Sequence, residues 1–168
     1  RSEKDAEKYW LIRRESFNLL RQKIHNKHTA PFIDDFIVPP HSLTEFLPKL
    51  EAILAKYPSL IYTIAGHIGD GNFHIIPLMN IEDPKEREII PVLEKEVNDL
   101  VIKYKGSITA EHNDGLIRTP YLKDMYGERV YKLFEETKNI FDPNNIFNPR
   151  KKVNSSMDYS MQHIRTNW

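Results

Sequence analysis

The sequence predicts an α+β fold: a mostly antiparallel sheet of about four strands with helices packed on one face. Three observations carry this expectation. Strand-like runs alternate with segments of helical apolar spacing, helix ends are punctuated by Ser, Asp, Pro and Gly, and a glycine-rich loop joins two β-branched runs as a hairpin.

Taken in order, Trp10, Phe17, Leu20 and Ile24 recur at helical spacing and define a first helix, with Trp10 expected in the core. Residues 32–38 read as a strand. Ser42-Leu43-Thr44-Glu45 has the pattern of a capping box and opens a second helix with the stripe Leu43, Phe46, Leu47, Leu50 and Leu54, ended by Pro58. Residues 60–67 and 73–79 form the hairpin around Gly69 and Gly71. Asp83-Pro84 starts a third helix that buries Ile89, Leu93, Val97, Leu100 and Tyr104 and stops at Gly106. Residues 107–111 read as the last strand. A fourth helix carries Val130, Leu133, Phe134, Thr137, Ile140 and Phe141 and ends at Asp142-Pro143. The expected organisation is one domain over residues 1–149 and an exposed tail over 150–168.

Composition narrows the function classes. The 168 residues, 40% of them hydrophobic, suffice for one core. Lys plus Arg equals Asp plus Glu at 24 each, which argues against nucleic acid or an acidic membrane as partner. No apolar run is long enough for a transmembrane segment, and residues 1–8 lack a signal-peptide core. Without cysteine there is neither a disulfide nor a locally bound iron–sulfur cluster. The expected location is cytoplasmic, or peripheral at the inner face of a membrane. The chain opens in a helical pattern without Met, which predicts a piece of a longer polypeptide.

The candidate chemistry centres on Gly66-His67-Ile68-Gly69-Asp70-Gly71-Asn72-Phe73-His74. Glycines allow a backbone tight enough to aim both imidazoles at one point, and imidazole is the commonest metal-ligand side chain. Strand alternation puts Asn72 on the face of His74. A plain hairpin turn with hydrogen-bonded histidines is the competing reading; two histidines at the ends of one loop, with Glu111 at a strand terminus, favour a divalent metal held by two imidazoles and a carboxylate. A calcium loop of the EF-hand type fails, because the sixth position from Asp70 is Ile75 rather than glycine. A phosphate cradle fails too, since no helix start follows the glycines and the loop has no lysine.

His112 follows Glu111 and, at a strand end, fits either a general base or a surface turn with Asn113-Asp114-Gly115. Arg13 lies on the apolar stripe of the first helix, where a guanidinium either snorkels to water or grips a substrate carboxylate. Asp34 and Asp35 read as a turn, with one of them available to pair with an arginine.

These residues resemble the C-terminal domain of FAD-linked oxidases of the vanillyl-alcohol-oxidase superfamily, the group of D-lactate dehydrogenases, the glycolate oxidase flavin subunit and D-2-hydroxyglutarate dehydrogenase. The matching motifs are Trp10-Leu11-Ile12-Arg13, the glycine–histidine loop, Gly106-Ser107-Ile108-Thr109-Ala110-Glu111-His112, and Phe141-Asp142-Pro143-Asn144-Asn145-Ile146-Phe147-Asn148-Pro149. Asp114-Gly115-Leu116-Ile117-Arg118 followed by Tyr121-Leu122 looks most like the large members fused to iron–sulfur modules.

The resemblance implies a ferredoxin-like type of cap domain in a flavoprotein that oxidises a small 2-hydroxy acid. It implies His67, His74 and Glu111 as ligands of a divalent metal (Zn, Mn or Fe), and His112 as the base that takes the hydroxyl proton while hydride leaves for FAD. Arg13 and Asn72 would contact substrate. FAD would be held by an N-terminal flavin domain, and electrons would pass to an iron–sulfur module or a quinone. Asn113 stands where the family has glycine, but asparagine tolerates left-handed backbone, so the turn is expected to persist. Arg150 replaces another glycine, and Ile33 stands where some relatives place a lysine near the substrate, so specificity does not carry over. Two other readings remain: a metal-dependent hydrolase using the same triad, and a non-catalytic module that keeps only the fold.

Overall fold

The computed structural model describes residues 3–24 and 27–166; the side chains of Phe17 and Leu20, expected on the first helix's stripe, lie outside the described ones. In chain order the elements are α1 (Glu3–Lys23), β1 (His28–Thr29), β2 (Phe36–Ile37), α2 (Leu43–Leu54), β3 (Ile61–Ala65), β4 (Asn72–Met79), α3 (Pro84–Arg87), α4 (Ile89–Lys103), α5 (Gly115–Arg118), α6 (Leu122–Phe141) and α7 (Met157–Gln162). The architecture is α+β, as expected.

β4 is the centre of a four-stranded antiparallel sheet. β3 runs along one edge in the register Ala65↔His74 to Ile61↔Leu78. The other edge is shared end to end, with β1 paired at Met79 and β2 paired at Phe73. The expected β3–β4 hairpin is present. Its turn passes through a short 3-10 segment, Ile68–Asp70, and closes at Gly71 with φ 77°. A Cβ on Gly71 would stand 1.9 Å from the Val38 carbonyl oxygen, so only glycine permits this approach.

Odd residues of β4 face the core. Phe73 stacks on Phe36 at 5.4 Å and meets Phe46 of α2 at 6.2 Å between ring centroids. Leu50 and Leu54 of α2, Ile75 of β4, and Leu93, Val97 and Val101 of α4 belong to the same buried cluster. Each such side chain contributes about 1.5–3 kcal/mol through removal of apolar surface from water. By alternation His74 points to the opposite face, away from Phe73 and Ile75.

Several elements differ from expectation, each for an identifiable reason. Residues 32–38 are not one strand, because Phe32 and Ile33 turn and Asp35 sits at φ 61°, leaving only Phe36–Ile37 extended. The expected strand 107–111 shrinks to a single bridge, Ser107 to Ile37. Beyond it the amides of Ala110, Glu111 and His112 donate to the Asp35 carboxylate rather than to a neighbouring strand. The third helix divides into α3 and α4; Pro91 has no N–H to donate back to Arg87, so the ladder is interrupted there. The Asp83 carboxylate does cap α3, accepting from the Lys85 amide at 2.9 Å. Ser42 forms no capping box, since its hydroxyl donates to the Pro39 carbonyl at 2.7 Å inside a 3-10 turn that precedes α2.

α1 is not a core helix. All its described side chains from Glu3 to Glu15 are exposed, and Trp10, expected in the core, is 58% exposed. α6 kinks at Gly127 and leaves Leu133, Ile140 and Phe141 exposed. The segment 150–168, expected as an exposed tail, is partly packed instead. Val153 is buried, and the hydroxyl of the buried Ser160 in α7 donates to the Leu116 carbonyl at 2.7 Å.

Glu94 of α4 is fully buried, and neither of its carboxylate oxygens has a hydrogen-bond partner among the described residues. Burial pushes its pKa well above the ordinary value, against the lowering pull of the Arg118 charge. A raised native pKa means that the stabilisation linked to this proton is complete below the unfolded glutamate pKa and is lost as pH rises toward the native value. Glu94→Gln is therefore expected to gain stability relative to the parent as pH rises, by about 1.4 kcal/mol for each unit crossed in that window. Urea unfolding at pH 4.5 and 7.5 checks this; a parent–variant difference that does not change with pH contradicts it.

Candidate metal and proton-transfer site

The site is assembled from three segments. The β3–β4 turn and the start of β4 bring His67 and His74, the turn before β2 brings Asp34 and Asp35, and the segment after Ser107 brings Glu111 and His112. One oxygen of Glu111, Oε1, is the common point. It lies 3.0 Å from His74 Nε2, 3.6 Å from His67 Nε2 and 3.6 Å from His112 Nε2. The His74 and His112 rings stack at 4.9 Å with 15° between planes, and His67 meets His74 edge-on at 5.9 Å.

Asp34 sits behind the rings. Its Oδ1 is 2.9 Å from His74 Nδ1, and its Oδ2 is 3.1 Å from His112 Nδ1. A carboxylate only accepts, so both rings donate from Nδ1 to Asp34, and in a neutral ring this makes Nε2, on the Glu111 side, the nitrogen available to a cation shared with Glu111 Oε1. A carboxylate that fixes the tautomer in this way is the usual outer partner of a metal-bound or general-base histidine. His74 is 13% exposed at its side chain, whereas His67, Glu111 and His112 are about half exposed, so the cluster is a floor with an open top.

Asp35 has a different task. Its buried carboxylate accepts the amides of Ala110 (3.0 Å), Glu111 (3.0 Å) and His112 (2.8 Å), and Nδ2 of Asn72 at 3.2 Å. Burial alone would raise its pKa, but the three backbone N–H groups outweigh that and hold it below the ordinary range. Asp35, His74, Glu111 and His112 each offer one ligand atom within 4.8 Å of the others. Because the Asp35 oxygens are already committed to N–H donors, the lone pairs open to a cation belong to the imidazoles and Glu111. Two or three Nε2 atoms and one carboxylate oxygen are a donor set that a divalent first-row metal fits.

The structure therefore brings together four of the six residues singled out in the sequence: His67, His74, Glu111 and His112. Asn72 is nearby but turned inward. It is buried, with Nδ2 spent on Asp35 and on the Phe36 carbonyl at 3.3 Å, and not on a position open to substrate. Arg13 is exposed on α1 with its guanidinium 5.9 Å from the Trp10 ring centroid; it is not among the side chains that converge on Glu111. Asp34 and Asp35, read from the sequence as a turn, are both central. The signal for them is two adjacent acids inside the apolar run 31–40, a place where a carboxylate persists only if donors surround it. Asn113 occupies the left-handed region at φ 65°, so the turn after His112 persists with asparagine. A cleft of about 250 Å³ opens beside the β3–β4 turn, lined by Ile64, Ala65, Gly66, Ile68, Asn72 and Phe73.

An antiparallel α+β domain whose hairpin loop and Glu-His segment meet in one histidine–carboxylate cluster is the architecture that the sequence motifs anticipated. Residues 1–152 match the family model described as FAD linked oxidases, C-terminal domain, and the chain belongs to that family. It is 31% identical over 142 residues to a D-2-hydroxyglutarate dehydrogenase of Pseudomonas putida, an alignment covering 84% of this chain and 14% of that protein. It is 33% identical over 119 residues to the glycolate oxidase subunit GlcD of Bacillus subtilis, covering 71% of this chain and 25% of that one. A D-lactate dehydrogenase of Anaerostipes hadrus is 31% identical over 118 residues, with 70% and 25% covered. The chain thus spans a minor part of the length of these relatives. Among the described residues no helix is long and apolar enough to cross a membrane.

Proposed function

We propose that this chain is the substrate- and metal-binding domain of an FAD-dependent 2-hydroxy-acid dehydrogenase, acting on a small acid of the D-2-hydroxyglutarate, D-lactate or glycolate type. The observation that carries the reading is the shared Asp34 carboxylate, which engages Nδ1 of both His74 and His112 and so turns their Nε2 atoms toward Glu111. In this reading His67, His74 and Glu111 hold a divalent cation (Zn, Mn or Fe). Bound there, the metal would acidify the 2-hydroxyl, and the flavin of an N-terminal domain would take the hydride from C2. His112 Nε2 accepts the hydroxyl proton, and Asp34 stabilises the resulting imidazolium through Nδ1–H. The hydroxyl carbon becomes a carbonyl, and proton and hydride are both accounted for. Asn72 supports the reaction by bracing Asp35. Arg13, exposed on α1, would grip the substrate carboxylate. Electrons would then leave the flavin for an iron–sulfur module or a quinone.

A chimaera tests this reading. Replacing the corresponding segment of the Pseudomonas putida relative by this chain is expected to give a flavoprotein whose 450 nm band bleaches with at least one of the three acids. His112→Asn in the chimaera is expected to slow bleaching by about 10²–10⁴-fold. Flavin that binds yet is reduced by none of the acids, with zinc or manganese supplied, contradicts the proposal. Hydrolase chemistry is not favoured, because the family to which the chain belongs is an oxidase family.

A further inference from the structure

Arg118, at the end of α5, is only 7% exposed, yet among the described residues its guanidinium has no carboxylate within hydrogen-bond distance. Both terminal nitrogens go to main-chain carbonyls: Nη1 donates to Asn113 O at 2.6 Å, and Nη2 donates to Asp34 O at 2.6 Å. These two acceptors are not arbitrary. Asp34 is the residue whose carboxylate orients His74 and His112, and Asn113 directly follows His112. One planar fork thus spans the two segments whose relative position sets the distance from the Asp34 carboxylate to the His112 imidazole. A second cation braces the neighbouring residue: the Lys152 ammonium pairs with the buried Asp114, and the Lys152 amide donates to Thr119 Oγ1 at 2.8 Å.

We propose that Arg118 is a positioning residue of this site, acting through Asp34 and the His112–Asn113 turn without touching metal or substrate. The inference rests on the metal-holding reading above for its metal readout only. A buried guanidinium costs much to desolvate, and two neutral carbonyls, with Glu94 acting through space and not as a hydrogen-bond partner, recover that cost only in part. Packing alone would be served by an apolar side chain at the end of α5. Only a rigid bidentate donor ties two strands of backbone together at a fixed separation; a lysine ammonium is a point donor on a flexible stem and reaches one carbonyl at a time.

Two readouts on the chain itself test this. In the metal-free protein, two-dimensional ¹⁵N spectra of the imidazoles are expected to show His74 and His112 as Nδ1–H tautomers. In Arg118→Lys, His112 is expected to move toward the solution mixture, in which Nε2–H dominates. Zinc affinity, measured by competition with a chelator, is expected to fall about tenfold in Arg118→Lys, the scale seen when outer partners of a metal site are changed. Arg118→Gln, which leaves no buried ammonium, is run alongside in case the lysine variant folds poorly. Val97→Ala, a core truncation in α4, serves as the control of comparable melting temperature; its tautomers and zinc affinity are expected to match the parent. The proposal is overturned if Arg118→Lys and Arg118→Gln keep both parent tautomers, or if Val97→Ala disturbs them as much. A parent chain that binds no zinc refutes the metal reading instead, and the tautomer shift then decides on Arg118 alone.

Discussion

A His74→Ala variant is expected to bind zinc at least about a hundredfold more weakly than the parent chain while keeping its fold. His74 is the best-placed of the three imidazoles: its Nε2 is 3.0 Å from Glu111 Oε1 and its Nδ1 is 2.9 Å from Asp34. Removing it deletes a ligand and also releases the Asp34 carboxylate oxygen that fixed it. Changing an outer partner alone typically costs 10–100-fold in affinity, so loss of a ligand together with its partner's orientation exceeds that range. The fold is expected to persist because His74 lies on the face of β4 opposite Phe73 and Ile75, which hold the core. Chelator competition, with circular dichroism as the folding control, measures this. Parent-like zinc affinity in a folded His74→Ala protein would remove His74 from the ligand set.

The largest effect on stability is expected from Asp35→Ala, about 3–5 kcal/mol of destabilisation. This carboxylate is the hub on which the Glu-His segment hangs. It accepts three backbone amides and the Asn72 amide nitrogen, and its own backbone is left-handed at φ 61°. Alanine would strand those donors away from water and occupy a strained conformation. Asp35→Asn is expected to cost less, because asparagine tolerates this φ and retains one acceptor oxygen.

The pH dependence follows from the direction of the shift. A native pKa held below the unfolded value of 3.8 gives stabilisation that is present above that value and is lost as pH falls through the lower native one. Asp35→Asn should therefore lose that part of the acid-denaturation slope below about pH 4. Thermal unfolding at pH 3 to 7 reads both effects. A melting temperature for Asp35→Ala within a few degrees of the parent would mean that the segment 109–112 is held by something else.

Much of this was legible along the chain, because local periodicity and punctuation report on local structure. The Leu43-to-Leu54 stripe, the glycine hairpin and the Asp83-Pro84 start became α2, β3–β4 and α3. Helical spacing alone did not tell α1 from a core helix. Trp10 and its neighbours have an apolar stripe, but burial requires something to pack against, and in this structure their described side chains meet solvent.

The sequence by itself determined the family, the element types around the loop, and the histidines and glutamate that converge in the candidate site. Spacing and residue chemistry are properties of short stretches: residues 66–74 carry His67 and His74, and residues 106–112 carry Glu111 and His112. Tertiary structure alone decided what those groups do to one another. Asp34 meets His74 and His112 across 40 and 78 residues, and Arg118 reaches back 84 residues to the Asp34 carbonyl. An aspartate in an apolar run announces that it must find donors, because burying it unpaired is too costly. Which donors it finds is settled only when the turn before β2 and the segment after Ser107 are brought together by the sheet.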